Sequence, residues 1–399
     1  MKASVLGVGV ALLLCTSVLA VPSVSLDGSL YIYTTGHNTS GGQNYANIAK
    51  LPWTGGTAGA LNGSFFNTLN HNYDSIPFGY SNFDLYDHNL YLDVMEGTNS
   101  PRYPTVWKVD GATGAGTSVF VAASGQPGYN RSMAVDRATG DIYFASSGDT
   151  RATRLHDGNS DGDYKDAGEM TALSQPVSLW AGGGSHYQDA EFYNGWMYFT
   201  TGATRTPGYF VSRLHALPSD DCSVALQRLS FPGFPSVGDP WSDGPSYLAA
   251  GDPNKNGKVE IYAHLGASGD PVASGFIGHW EDADGDGVMT AAEMIDKFSV
   301  GSSARDLELV TDGTHWMLLY INSSAQVRYI NLTDNGMLAA ETGTLFTTGL
   351  APSNSDFIHL KMDQTLAAIP EPATMTLLAA GAGAGLLGRA RRRRVGRPR

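Results

Sequence analysis

The sequence predicts an all-β chain closed into a ring of sheets: a six-bladed β-propeller, with five or seven blades as the alternatives. Three observations carry this. Short apolar or alternating runs rich in Tyr, Phe and Trp recur between Gly, Asn, Asp and Ser turns, and no long amphipathic helical period interrupts them. A strand-turn-strand unit recurs at spacings of 50 to 60 residues, which with three or four strands per unit reads as a propeller. The two ends of the repeat region carry complementary fragments of one further unit.

In chain order, residues 1–20 read as a secretory signal peptide: Lys2, an apolar run from Val5 to Leu14, then Val18-Leu19-Ala20 as a cleavage site. The propeller body spans 21–368. Leu26 to Tyr33 looks like a turn and a second strand without its first. Units then start at 82, 132, 189, 246, 306 and 356. The clearest copies are Ser132 to Phe144, Asp189 to Phe199 with its Asn194-Gly195 turn, and Asp306 to Leu318. The last unit has only one strand, Phe357 to Met362. Joined to the N-terminal fragment it completes a blade with the C-terminal strand innermost, which removes the free sheet edges.

Two loops have the spacing of a calcium site. Asp282, Asp284 and Asp286 stand at positions 1, 3 and 5 of an EF-hand loop, followed by Gly287, the Val288 carbonyl, Thr290 and a closing Glu293. Calcium takes six to eight oxygens, and this spacing wraps the chain around one ion. Asp157, Asn159, Asp161 and Asp163 begin a second such loop, but its Glu169 arrives one position late. A third run, Asp252-Pro-Asn254-Lys-Asn256-Gly257, lacks charge and a closing Glu and reads as a plain hairpin turn. Ca2+ is therefore the expected cofactor, as a staple of long loops after third strands. No flanking helix pair is evident, though 291–297 could form one short helix.

The C-terminus has three parts: Ile369-Pro370-Glu371-Pro372, an uncharged stretch from Ala373 to Gly388, and seven arginines from Arg389 to Arg399. Arginines after an apolar segment stay on the cytoplasmic side, so the body is held outside. The stretch is short for a permanent span. Residues 369–399 resemble the PEP-CTERM sorting signal of Gram-negative bacteria, with Ile369 where Val is more usual. The resemblance implies export, a transient membrane hold, processing by an exosortase-type enzyme, and a cell-surface or extracellular destination in a species that makes extracellular polysaccharide.

The tail and Lys2 hold 8 of the 25 basic residues and Glu371 one of the 38 acidic ones, leaving 17 against 37, a net of −20. Such a body disfavours nucleic acid. After removal of the leader Cys222 is the remaining cysteine, so no intrachain disulfide can form.

Catalytic motifs are weak. Gly158-Asn159-Ser160-Asp161-Gly162 fits a nucleophile elbow by letters, but it lies inside an acidic loop. The ten histidines show no zinc spacing. Asp189, Asp306 and Asp356, with Arg131, Arg305 and His186, would gather at the channel mouth as a ligand site. The competing expectation is that polar residues there satisfy local backbone amides, a repeat-structural duty. The reading is a monomeric, non-catalytic binding propeller for polysaccharide or another surface protein. Tyr45, Tyr73 and Trp241 are offered for sugar stacking. An extracellular hydrolase or lyase acting at the mouth is the alternative.

Overall fold

The computed structural model describes residues 22–38, 43–67, 82–96, 103–122, 130–146, 152–172, 186–202, 210–215, 227–230, 244–266, 275–285, 291–300, 304–322, 324–349 and 358–364. The signal peptide, the sorting tail, Asp356, residues 286–290, Tyr73 and Trp241 lie outside them, as does the side chain of Tyr45.

The N-terminal strands β1 (Gly28–Asn38), β2 (Gln43–Thr54), β3 (Thr57–Ala58) and β4 (Asn62–Asn67) are followed by five antiparallel sheets, each built from four consecutive strands. These are β5 (Phe83–Tyr86), β6 (Asn89–Glu96), β7 (Tyr103–Asp110) and β8 (Gly116–Val121); then β9 (Asn130–Val135), β10 (Ile142–Ser146), β11 (Ala152–Leu155) and β12 (Met170–Ala172). The third is β13 (His186–Tyr193), β14 (Trp196–Gly202), β15 (Phe210–His215) and β16 (Gln227–Ser230). The fourth is β17 (Gly244–Gly251), β18 (Glu260–Gly266), β19 (Phe276–Glu281) and β20 (Met294–Ser299). The fifth is β21 (Ala304–Thr311), β22 (Trp316–Asn322), β23 (Gln326–Leu332) and β24 (Leu338–Thr347). The last strand, β25 (Ile358–Gln364), returns to pair with β1, giving a sixth sheet in the order β25-β1-β2-β3, with β4 also on β2.

The first strand of each sheet touches the first strand of the next: β5 beside β9, β13, β17, β21, β25 and back to β5. The described residues thus form a closed propeller, with β25 innermost in the closing blade and Gly28 paired with Gln364. β25 therefore ends beside the start of β1, at the end where β5 turns into β6 and β21 into β22.

The cores lie between blades. Leu30, Ile32 and Leu51 of the closing blade pack on Met317, Leu319 and Ile321 of β22. Its other face sets Tyr31, Tyr33 and Ile48 against Phe83, Leu90 and Leu92. A second strand is thus buried on both faces, which is why β22 reads as a continuous run, Trp-Met-Leu-Leu-Tyr-Ile, rather than an alternating one. The β13–β14 hairpin turns through Asn194 (φ 49°) and Gly195 (φ 81°), the pair of positive φ values of a type I′ turn.

The short helix expected over 291–297 is a single 3-10 turn, Ala291–Glu293, after which β20 takes over. The edge of β19 is free for pairing there, and β20 fills it, with Ile277 opposite Phe298 and Phe276 opposite Ser299.

Candidate functional site

Polar side chains occupy alternate positions along the innermost strands, so they point into the axial channel. Asn82 and Asp84 come from the start of β5, Asp189 and Glu191 from β13, Asp306 and Glu308 from β21, His359 and Lys361 from β25. β5, β13 and β21 are not neighbours in the ring, so contacts among their side chains cross the axis.

The residues form two layers. In the first, Asn82 Nδ2 donates to Asp189 Oδ1 at 3.2 Å, and donor atoms of Asp189, Asp306 and His359 all lie within 4.8 Å of one another. In the second, Lys361 Nζ donates to Glu191 Oε2 at 2.6 Å and lies 3.1 Å from Glu308 Oε2. Arg137, in the turn after β9, points its guanidinium at Asp84, Glu191 and Glu308 from 3.7, 3.8 and 3.7 Å. Its side chain remains half-exposed because it caps the channel from the turn end.

Three of the carboxylates perform the same backbone task. Asp84 accepts the N–H of Leu85 (2.7 Å) and of Val135 in the next blade (2.8 Å). Asp189 accepts those of Ala190 and of Leu248 in the next blade, both at 2.9 Å. Asp306 accepts those of Leu307 and of Leu360. Each aspartate thus bonds its own blade and the following one. Asn82 Oδ1 does the local half of this for Phe83.

The electrostatics follow from burial. Asp189 is pushed up to about 8, first by burial and then by the charge of Asp306. Burial raises Asp306 to about 7 against the pull of Lys361, and Glu191 likewise to about 7. Burial lowers His359 to about 4. For Lys361 burial works the same way, yet Glu191 and Glu308 hold it well above its ordinary value.

Of the residues expected at the mouth, Asp189 and Asp306 meet across the channel. Arg305 is half-buried and its charge acts on His264 of β18. Arg131 and His186 lie on β9 and β13 with side chains outside the described residues, and Asp356 lies wholly outside them. Sequence reasoning missed Asp84, Arg137, Glu191, Glu308, His359 and Lys361. The available signal was the alternation itself: Asn-x-Asp, Asp-x-Glu, Asp-x-Glu and His-x-Lys at 82, 189, 306 and 359.

The acidic loops leave third strands and sit on the turn face. In the first, carboxylate oxygens of Asp282, Asp284 and Glu293 lie within 4.8 Å of one another. Oxygens sharing one calcium ion stand at most about 5 Å apart, given bonds of roughly 2.3–2.6 Å. Glu293 Oε1 also accepts the Ala283 N–H at 3.0 Å. In the second loop Glu169 Oε1 accepts the equivalent N–H, of Gly158, at 3.2 Å. The late glutamate therefore reaches the same place. Asp157 holds the Asp161 and Gly162 N–H groups at 3.1 and 3.0 Å, curling the loop. The run at 252–257 has the same curl, with Asp252 on the N–H groups of Asn256 and Gly257. Its amides are spent on Glu281, however, through Asn254 Nδ2 at 2.8 Å and Asn256 Nδ2 at 2.9 Å. It is a hairpin turn between β17 and β18.

Just before the 282–293 loop a fully buried His279 bridges Glu260 (Nε2 to Oε2, 2.7 Å) and Asp296 (Nδ1 to Oδ1, 3.0 Å), stacked 4.3 Å from Tyr262. Burial pulls its pKa down, but the two carboxylates carry it above the ordinary value.

Comparison with known proteins identifies the C-terminal segment. Residues 368–394 match the PEP-CTERM protein-sorting motif. The chain carries that motif. It is thus an exported protein, held at the membrane by its C-terminal tail before release to the surface, with exosortase-mediated processing implied. No curated protein matches it in sequence. A chain in a crystal structure of a nidogen/laminin complex is similar in fold, with a TM-score of 0.50 at 12% identity over 84% of this chain and 100% of that one. Periplasmic gluconolactonase of Pseudomonas aeruginosa is also similar, with a TM-score of 0.43 at 15% identity, covering 83% and 99%. At such identities the likeness concerns the fold alone.

Proposed function

We propose that this chain is a non-catalytic surface propeller that binds extracellular polysaccharide or another surface protein through the face opposite its sorting tail, with calcium stapling its two acidic loops. The observation that carries this reading is the engagement of the channel aspartates. Asp84, Asp189 and Asp306 each bond backbone N–H groups of two blades, and Glu191 and Glu308 are tied to Lys361. Groups so occupied serve the ring before they serve a substrate.

The tail adds an orientation. β25 ends at Gln364, and three residues, 365–367, lead to the motif at 368. Gln364 bonds Thr311, the last residue of β21 before its turn. The tail therefore leaves from the turn face, which holds the acidic loops. A chain held by that tail turns this face to the membrane and the channel mouth outward.

The test uses the purified protein and polysaccharide extracted from a PEP-CTERM-bearing species. Retention of intact polysaccharide on immobilised protein is expected. Steady release of shortened chains, or no retention of polysaccharide or of solubilised surface proteins, would overturn the binding reading. Calorimetry with Ca2+ checks the staples separately. Two ions per chain are expected, with a rise in thermal stability worth about 2.7 kcal/mol for each site at a hundredfold excess over its Kd. Glu293→Gln should remove one of the two. No calcium uptake would reduce both loops to turns.

A further inference from the structure

We propose that Asp189, Asp306 and His359 form a divalent-metal site inside the channel, suited to a first-row ion such as zinc and distinct from the acidic loops. The site would tie the last strand of the ring to two other blades.

The starting observation is His359. It is 1% exposed, and neither of its ring nitrogens has a hydrogen-bond partner among the described residues. A buried polar group left so costs stability, and an ion is one of the few things that accounts for it. Its Nδ1 lies 3.7 Å from Asp306 Oδ1, too far for a hydrogen bond. That separation fits two ligands of one ion. With metal–ligand bonds of about 2.0–2.1 Å, atoms 3.7 Å apart subtend about 130° at the shared metal. Asp189 is the third member, with a donor atom within 4.8 Å of the other two, and sharing the ion would bring it to about 4.2 Å or less from each.

The second observation is how the carboxylates are held. Asp189 is fixed by the N–H groups of Ala190 and Leu248 and by Asn82 Nδ2. Asp306 is fixed by those of Leu307 and Leu360. Each oxygen has two lone pairs, so these bonds orient the ligands without using them up. Lys361 lies one layer deeper, on Glu191 and Glu308. Imidazole beside two carboxylates favours a borderline ion such as zinc over calcium, which takes oxygen ligands.

The consequence is mechanical. His359 belongs to β25, Asp189 to β13 and Asp306 to β21. β25 is also the strand from which the sorting tail continues, so a pull on the tail loads it directly. A metal bridge across the axis would pin that strand at its far end from the tail. This inference is independent of what the outer face binds.

The experiment loads the purified full chain with Zn2+ in excess Ca2+, removes free metal by gel filtration, and measures bound metal by mass spectrometry. One zinc per chain is expected. His359→Gln and Asp306→Asn should each weaken zinc binding at least about 100-fold, more than the loss of an outer-shell group. Glu293→Gln, in the acidic loop, should leave zinc binding unchanged. Zinc lost in excess calcium, or retained equally by His359→Gln, overturns the site. If the channel variants fail to fold, Co2+ in the unmutated protein decides. An intense visible band from a four- or five-coordinate ion supports the site, and a weak spectrum of six oxygen ligands alone overturns it.

Discussion

Replacing Asp84 by alanine tests whether the channel aspartates hold the blades together. Asp84 is 1% exposed and accepts two backbone N–H groups, from Leu85 at 2.7 Å and from Val135 of the next blade at 2.8 Å. Alanine leaves both donors buried without an acceptor. An orphaned buried donor costs about 1–3 kcal/mol, so the pair sets a loss of about 2–6 kcal/mol. Arg137 adds little, because its half-exposed side chain keeps Glu191 and Glu308 and is screened by water. Asp84→Asn keeps one carbonyl oxygen and turns an amide toward the second donor, so it should lose about half as much, roughly 1–3 kcal/mol. Asp334→Ala, at an exposed turn, should stay within about 0.5 kcal/mol of the parent. Urea unfolding followed by tryptophan fluorescence measures all three, and the slopes should agree if the unfolding reaction is the same. A loss below about 0.5 kcal/mol for Asp84→Ala would refute the stapling argument, since no buried donor could then have been orphaned.

Two further outcomes follow from the charges. Lys361→Met should cost about 3–5 kcal/mol at pH 8, because Glu191 and Glu308 lose their buried cation. Glu191 has its pKa raised to about 7, so the cost should shrink as pH falls below that value and the acid turns neutral; an equal cost at pH 5 and pH 8 would contradict the pairing. For His279 the raised pKa means that its contribution is fully present below about 6.5, the value in an unfolded chain, and is lost as pH rises through the folded value. His279→Gln should therefore destabilise more at pH 6 than at pH 9. An NMR titration that finds His279 protonating at or below its ordinary value would contradict the bridge between Glu260 and Asp296.

Much of the closing blade could be read from residues alone. A lone strand after 356 and a strand-deficient start at Leu26 are complementary because a propeller ring must hydrogen-bond its last edge, and β25 does pair with β1. Hairpin chemistry was equally local, as at Asn194-Gly195. The helix expected over 291–297 failed for a tertiary reason: the edge of β19 competed for those residues and β20 took it. The channel was half legible. Unit starts located Asp189 and Asp306, with Arg305 and His186 beside them in the chain, but not Glu191 and Glu308, which the strand presents to the same side two positions on.

The sequence by itself determined the address of this protein, the repeat that makes a propeller, and the spacing of its two acidic loops. Those properties lie in contiguous residues, where distance along the chain is distance in space. Which side chains meet in the channel was decided only by ring closure. Asp84, Asp189, Asp306 and His359 stand on four different blades, with His359 in the final strand. Nothing in their spacing relates them until the cores between the blades turn six sheets about one axis and bring their innermost strands within reach of each other.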